Sequence, residues 1–187
     1  MLRSTRISSC KIKNQQLHWN GTCVYEAGSE ISTLEFLNQL YKHLEINYPK
    51  FFKMDLLCKL GILASELLLK DLSETERIST AIYLCNRASS LETDRKHYAN
   101  IQSESGYFPS PSVFVYTLPN IVIGEICIRH KIMGEGIFFL SECPNFEDLH
   151  RIADLAIRGG IAKQVLLGRV ESDKDIAEVE LELHKAF

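Results

Sequence analysis

The sequence predicts one α/β domain over residues 1–187, an open mixed sheet with a buried helix against one face and flanking helices over the rest. Three stretches predict it. From Asp55 to Lys70, leucines and isoleucines such as Leu56, Leu60, Ile62, Leu63 and Leu67 surround most of a helix, so that helix must be deeply buried. Ile137-Phe138-Phe139-Leu140 is apolar at every position, which suits a strand buried on both faces. Val179, Leu181 and Leu183 alternate with Glu180, Glu182 and His184, the period of a strand with one wet face. We expect an edge strand there, with a helix over 175–185 as the alternative.

In chain order, Ile7 to Lys13 reads as a strand, and Gln16 to Tyr25 as a hairpin, because Asn20-Gly21 suits a two-residue primed turn. Ser32 and Glu35 form a capping box, followed by Leu34, Leu37, Leu40, Tyr41 and Leu44 on one helix face, ending near Asn47 before Pro49. Ser73-Glu74-Thr75-Glu76 reads as a polar connection, Thr80 to Cys85 as a core strand, and 87–106 as a loop with one short helix, Ser103-Glu104-Ser105-Gly106 being part of the loop. After Leu118-Pro119, a helix capped by the Asn120 side chain should run until Gly134 and Gly136 break it. Pro144 at a first helical position would set Cys143 at the N-terminal boundary of a helix from Asn145 to Arg158, closed by Gly159-Gly160.

Composition narrows the function classes. With 45% apolar residues the chain can build an ordinary core, and 21 basic against 24 acidic residues give no excess suited to a nucleic-acid surface. No apolar run approaches the roughly 20 residues of a membrane span. The basic start Met-Leu-Arg-Ser-Thr-Arg has no apolar stretch behind it, so no signal peptide is expected. The six cysteines form no CxxC pair and most lie in apolar runs, as expected of reduced thiols in a cytoplasmic protein.

In their order, Ser110-Pro111, Leu118-Pro119-Asn120, Gly124, Ile128-Arg129, Gly134, Cys143, Arg158-Gly159 and Val165 to Gly168 with Glu171 resemble the β-ketoacyl-ACP synthases of the thiolase-like superfamily. Phe52-Lys53-Met54-Asp55 before the apolar helix matches an earlier element of that family. The resemblance implies half of a thiolase-like fold, with Cys143 at the position of the family's acyl-accepting nucleophile. It places Leu118, Asn120, Ile123, Gly124 and Arg129 near the acyl pocket and subunit interface. The family draws its two catalytic histidines from a second half, which the chain is expected to lack. Glu142 replaces a small residue beside the cysteine, and Arg169 a glycine. The resemblance therefore implies a ketosynthase-like, chain-length-factor-like subunit, as in aryl polyene or flexirubin-type pigment systems. Its implied partners are a full-length ketosynthase, or a second copy, and an acyl carrier protein, with no cofactor and no metal. The alternative is a condensing-enzyme subunit in which Cys143 takes the acyl group and a partner supplies the histidines.

Other candidates are weaker as chemistry. His150 is seven residues from Cys143, about 10 Å along a helix axis, too far to hold the thiol directly. Glu147 and His150 have the Glu-x-x-His spacing of di-iron bundles, but those sites need a second copy and further carboxylates. Gly134-Glu135-Gly136 lacks the lysine of a phosphate loop and reads as a turn. Arg129, His130 and Lys131, with Arg95 and Lys96 apart, could meet an acidic carrier protein.

Overall fold

The computed structural model describes residues 4–28, 30–102, 110–143 and 145–186. An N-terminal meander, β1 (Ser4–Lys13), β2 (Gln16–Trp19) and β3 (Thr22–Glu26), leads to helix α1 (Thr33–His43). The tight turn between β2 and β3 is the expected one: Asn20 and Gly21 have φ of 50° and 83°, both positive as a primed turn demands. A 3-10 turn (Pro49–Lys53) precedes α2 (Leu56–Leu69), then come α3 (Glu74–Ile78), β4 (Thr80–Asn86), α4 (Leu91–Ile101), α5 (Pro111–Val115) and α6 (Ile121–His130). Strand β5 (Gly136–Leu140), α7 (Phe146–Arg158), β6 (Gln164–Asp173) and β7 (Ile176–Ala186) complete the series.

The strands form one mixed sheet in the order β3-β2-β1-β7-β6-β4-β5, with β4 parallel to both β5 and β6 and the other pairs antiparallel. Alternation along the central strands feeds two cores. Ile82, Leu84, Leu166 and Leu181 pack under α2 on one face; Ala81, Tyr83, Val165 and Leu167 meet Leu149, Ala153 and Ala156 of α7 on the other. Helix α6 lies on α2 at a close crossing, because Gly61 leaves room where a Cβ would stand 2.4 Å from Val122 Cγ2. Gly168 has the same cause, since a Cβ there would sit 2.1 Å from the Glu180 carbonyl oxygen of β7.

The α/β class and the buried helix are as expected, with Asp55 capping α2 by accepting from Cys58 N at 2.9 Å. Several local expectations are corrected. Strand β7 lies inside the sheet between β1 and β6, and its Glu182 and His184 face is covered by α7, leaving them 6% and 5% exposed. Conversely β5 is an edge strand, at the opposite end of the sheet from β3, with Leu140 60% exposed. Ser73 to Glu76 is a full capping box that starts α3, which the density of polar residues disguised as a connection. At Ser32 the side chain accepts from Glu35 N, and α1 stops at His43 because Glu45 turns left-handed at φ 52°. Asn120 precedes α6 in helical backbone conformation and makes no side-chain cap, which requires an extended residue. Helix α6 ends before the glycines, at Lys131 with φ 56°. Gly134 serves instead for close approach, a Cβ there meeting Thr80 O at 2.1 Å. The Ser103 to Gly106 stretch and the proposed role of Pro144 lie outside the described residues.

Candidate functional site

Parallel strands β4, β5 and β6 direct their carboxyl ends to one side, the usual place for a crevice in an open α/β sheet. The loop after β4 is rigidly built. Asn86, fully buried, donates from Nδ2 to Ser89 O at 2.8 Å and accepts from Ser89 N at 3.0 Å. Glu171 of β6 accepts from the backbone N–H groups of Arg87 and Ala88 at 2.9 and 3.1 Å. The loop after β5 is tied to the same place, because Ser141 N donates to Asn86 O at 3.1 Å.

Cys143 stands exposed on that second loop, its N–H donating to Ser141 Oγ at 3.3 Å. It lies outside the helix boundary expected of it: Asn145 is the N-cap, accepting from Asp148 N at 2.9 Å, and α7 begins at Phe146. The positive end of α7 is thus met by Asn145, Glu147 and Asp148 before it can act on the thiol. Around Cys143 runs a cleft of about 440 Å³ lined by Arg87, Glu142, Asn145, Arg169, Glu171 and Glu178, among others. No histidine lines it among the described residues. Arg169 is ion-paired with Glu178, so its charge is spent within the wall. A wider cleft of about 650 Å³ against β1 includes Cys10, but burial pushes that thiol up to about 12.

The residues expected on the α6 side divide. Leu118, Asn120 and Gly124 are exposed, and a Cβ on Gly124 would meet nothing within 4 Å. Ile123 is buried against the start of β5, its Cγ2 2.7 Å from where a Gly136 Cβ would be. Arg129 is turned inward: Nε and Nη2 donate to Glu66 of α2 at 3.1 and 2.7 Å, and the guanidinium lies 5.3 Å from the Tyr48 ring centre. His130 is buried against Ser65 Oγ at 3.2 Å, and burial holds its imidazole down at about 4. The basic cluster expected at 129–131 therefore presents Lys131 alone. Arg95 and Lys96 pair with Asp173 and Glu92. Glu147 and His150 do not converge, since His150 faces Glu182 of β7.

Two supports of the cleft escaped sequence reasoning as functional parts, Asn86 and the roles of Glu171. An Asn closing the run Ala81 to Cys85, before Arg87-Ala88-Ser89, is the signal of a side-chain-stabilised turn.

The mixed seven-stranded sheet and its covering helices have the α/β fold of solved ketosynthase and chain length factor structures. Solved structures with this fold include the ketosynthase ApeO in complex with its chain length factor ApeC from Xenorhabdus doucetiae, at TM-score 0.67 and 12% identity over 99% of this chain and 79% of that one. The ishigamide ketosynthase/chain length factor gives TM-score 0.68 at 15% identity over 98% of this chain. The AntDE:AntF structure, a type II polyketide acyl carrier protein in complex with its ketosynthase bound to the hexaketide, gives 0.65 at 15% over 99%. The chain spans 62% of the length of each of the latter two. No protein-family model and no curated protein matches the sequence. No helix among the described residues is long and apolar enough to cross a membrane.

Proposed function

We propose that this chain is a non-catalytic partner subunit of a full-length ketosynthase, of the chain-length-factor kind, whose β5 and α6 side helps shape the partner's acyl pocket. The unpaired edge of β5 carries this reading. Gly136-Ile137-Phe138-Phe139-Leu140 pairs with β4 on one side and with no strand among the described residues on the other. Edge strands in proteins that remain alone are protected by charge, proline or a bulge, and β5 has none of these. Beside it, α6 and its flanks expose Leu118 at 56%, Ile128 at 62% and Met133 at 75%. An apolar surface next to an open strand edge fits a permanent interface, to which a second chain adds its own strand. The solved structures of like fold supply the partner's class: they are described as ketosynthases with a chain length factor or a carrier protein.

In this reading Leu118, Asn120 and Gly124 face the partner, Ile123 packs behind them, and Arg129 fixes α6 in place. The carrier protein docks on the assembled pair. The cytoplasm is the compartment, where all six thiols, none of them bridged, stay reduced. The exposure of Cys143 favours one second reading, an acyl-accepting thiol whose histidines come from elsewhere. Co-expression with a ketosynthase from the same source tests the first. A stable complex, lost on Leu140→Lys, supports it, and a chain that stays apart from every ketosynthase offered would refute it.

A further inference from the structure

Away from the Cys143 cleft, α7 and β7 bring three metal-ligating side chains together. Glu182 and His184 are two apart on β7 and therefore share the face beneath α7, from which His150 reaches down. His150 Nε2 and His184 Nε2 each lie 2.8 Å from Glu182 Oε2, and the two rings are 4.9 Å apart between centres. One ligand atom from each residue fits within 4.8 Å of the others. The neighbouring layer is apolar, built from Leu149, Ala153, Val165 and Leu167. Burying the Glu182 carboxylate and the His184 imidazole costs desolvation, which their mutual hydrogen bond and the Arg6 and His150 contacts offset.

We propose that His150, Glu182 and His184 bind a divalent transition-metal cation of borderline softness, with Zn²⁺ as the reference ion, and so clasp α7 to β7. Two imidazole nitrogens and one carboxylate oxygen are a ligand set such cations favour, and three protein ligands leave a fourth position for water or another donor. At metal–ligand bonds of about 2.0–2.2 Å, tetrahedral ligand atoms stand about 3.3–3.5 Å apart. Reaching that spacing opens each histidine–carboxylate contact by about half an ångström and draws the two imidazoles together, within the range of side-chain rotation. Arg6 Nη1 donates to Glu182 Oε1 at 2.9 Å, which leaves Oε2 as a single donor and holds the carboxylate from outside, as ligand carboxylates are generally held. Metal binding needs the His184 proton on Nδ1. That atom is buried with no hydrogen-bond partner, so the metal-bound imidazole would lack the acceptor that usually orients such a ligand, and binding rests on His150 and Glu182 to offset this. The His150 side chain is 41% exposed, giving the ion a way in from solvent.

The test is titration calorimetry of ZnCl₂ into tag-free, chelator-treated protein, alongside native mass spectrometry. One ion per chain is expected, with His150→Ala and His184→Ala each weakening binding at least about ten-fold. Zn²⁺ should raise the melting temperature of the parent and of neither variant. Cobalt(II) in its place should give a four-coordinate ligand-field spectrum without a thiolate charge-transfer band. Failure to bind one equivalent overturns the proposal. So does binding that survives both histidine substitutions and disappears in Cys143→Ser or Cys23→Ser, which would place the ion on an exposed thiol. His150 is half exposed, so its variant folds whether or not His184→Ala does, and either result is readable. Metal binding here is independent of pairing with a ketosynthase.

Discussion

Replacing Arg129 with alanine removes the guanidinium that meets Glu66 at 2.7 and 3.1 Å. Glu66 is 8% exposed, and the next cation candidate, His130 Nε2, is 3.6 Å away on an imidazole that burial keeps neutral above about pH 4. The carboxylate would be left nearly dry and unpaired. Breaking a buried pair from one side costs about 3–5 kcal/mol. The Arg129 side chain is itself 23% exposed, so water can follow it out, and we expect a loss of about 2–4 kcal/mol. For a chain of this length that is a fall of roughly 5–15 °C in Tm. Urea denaturation followed by circular dichroism measures it, and Glu66→Gln in the Arg129→Ala background should restore about half or more, because the orphaned charge is gone. Folded Arg129→Ala should still bind the ketosynthase. A loss under about 1 kcal/mol, or no recovery with Glu66→Gln, would refute the assignment of Arg129 to the α2–α6 joint and return it to the surface.

Leu140→Lys and Ile128→Asp should leave the isolated chain within about 0.5 kcal/mol of the parent by denaturation. Each should weaken ketosynthase binding by about ten-fold or more in surface plasmon resonance, because an apolar contact worth about 1–2 kcal/mol is replaced by a desolvated charge. Gly168→Ala should destabilise by about 3 kcal/mol or more, read from the same melts, since its Cβ meets fixed backbone of β7 at 2.1 Å. Acid should weaken the fold between about pH 6.5 and 4 through His130. Its folded pKa is lowered to about 4, so in that window the unfolded chain takes up a proton the folded chain refuses, and stability falls as pH falls. The slope integrates to about 3 kcal/mol and should flatten in His130→Gln. Cys143→Ala should change stability by less than about 0.5 kcal/mol, as befits an exposed turn.

The helical face patterns and the N-terminal hairpin were legible because local rules decide them: Asp55 caps α2, and Asn20-Gly21 turns the hairpin. Strand burial was not. Ile137 to Leu140 is apolar throughout as if covered on both faces, yet β5 is an edge strand that leaves Leu140 60% exposed. The Glu180–His184 alternation misled in the opposite sense, because α7 covers that face and its His150, with Arg6 of β1, reaches Glu182 in a way that sequence spacing cannot show. Arg129 stood in a run with His130 and Lys131, and its inward turn depends on Glu66, 63 residues away. The order of segments around Cys143 was legible, whereas the helix start was displaced past it by the Asn145 cap.

The measurement that tests the central claim most directly is intact-mass analysis of this chain with a co-expressed ketosynthase after exposure to an acyl-loaded carrier protein. A non-catalytic partner subunit gives a stable complex in which the ketosynthase alone gains acyl mass. Acyl mass on this chain that disappears in Cys143→Ala would contradict it and make the chain a condensing subunit.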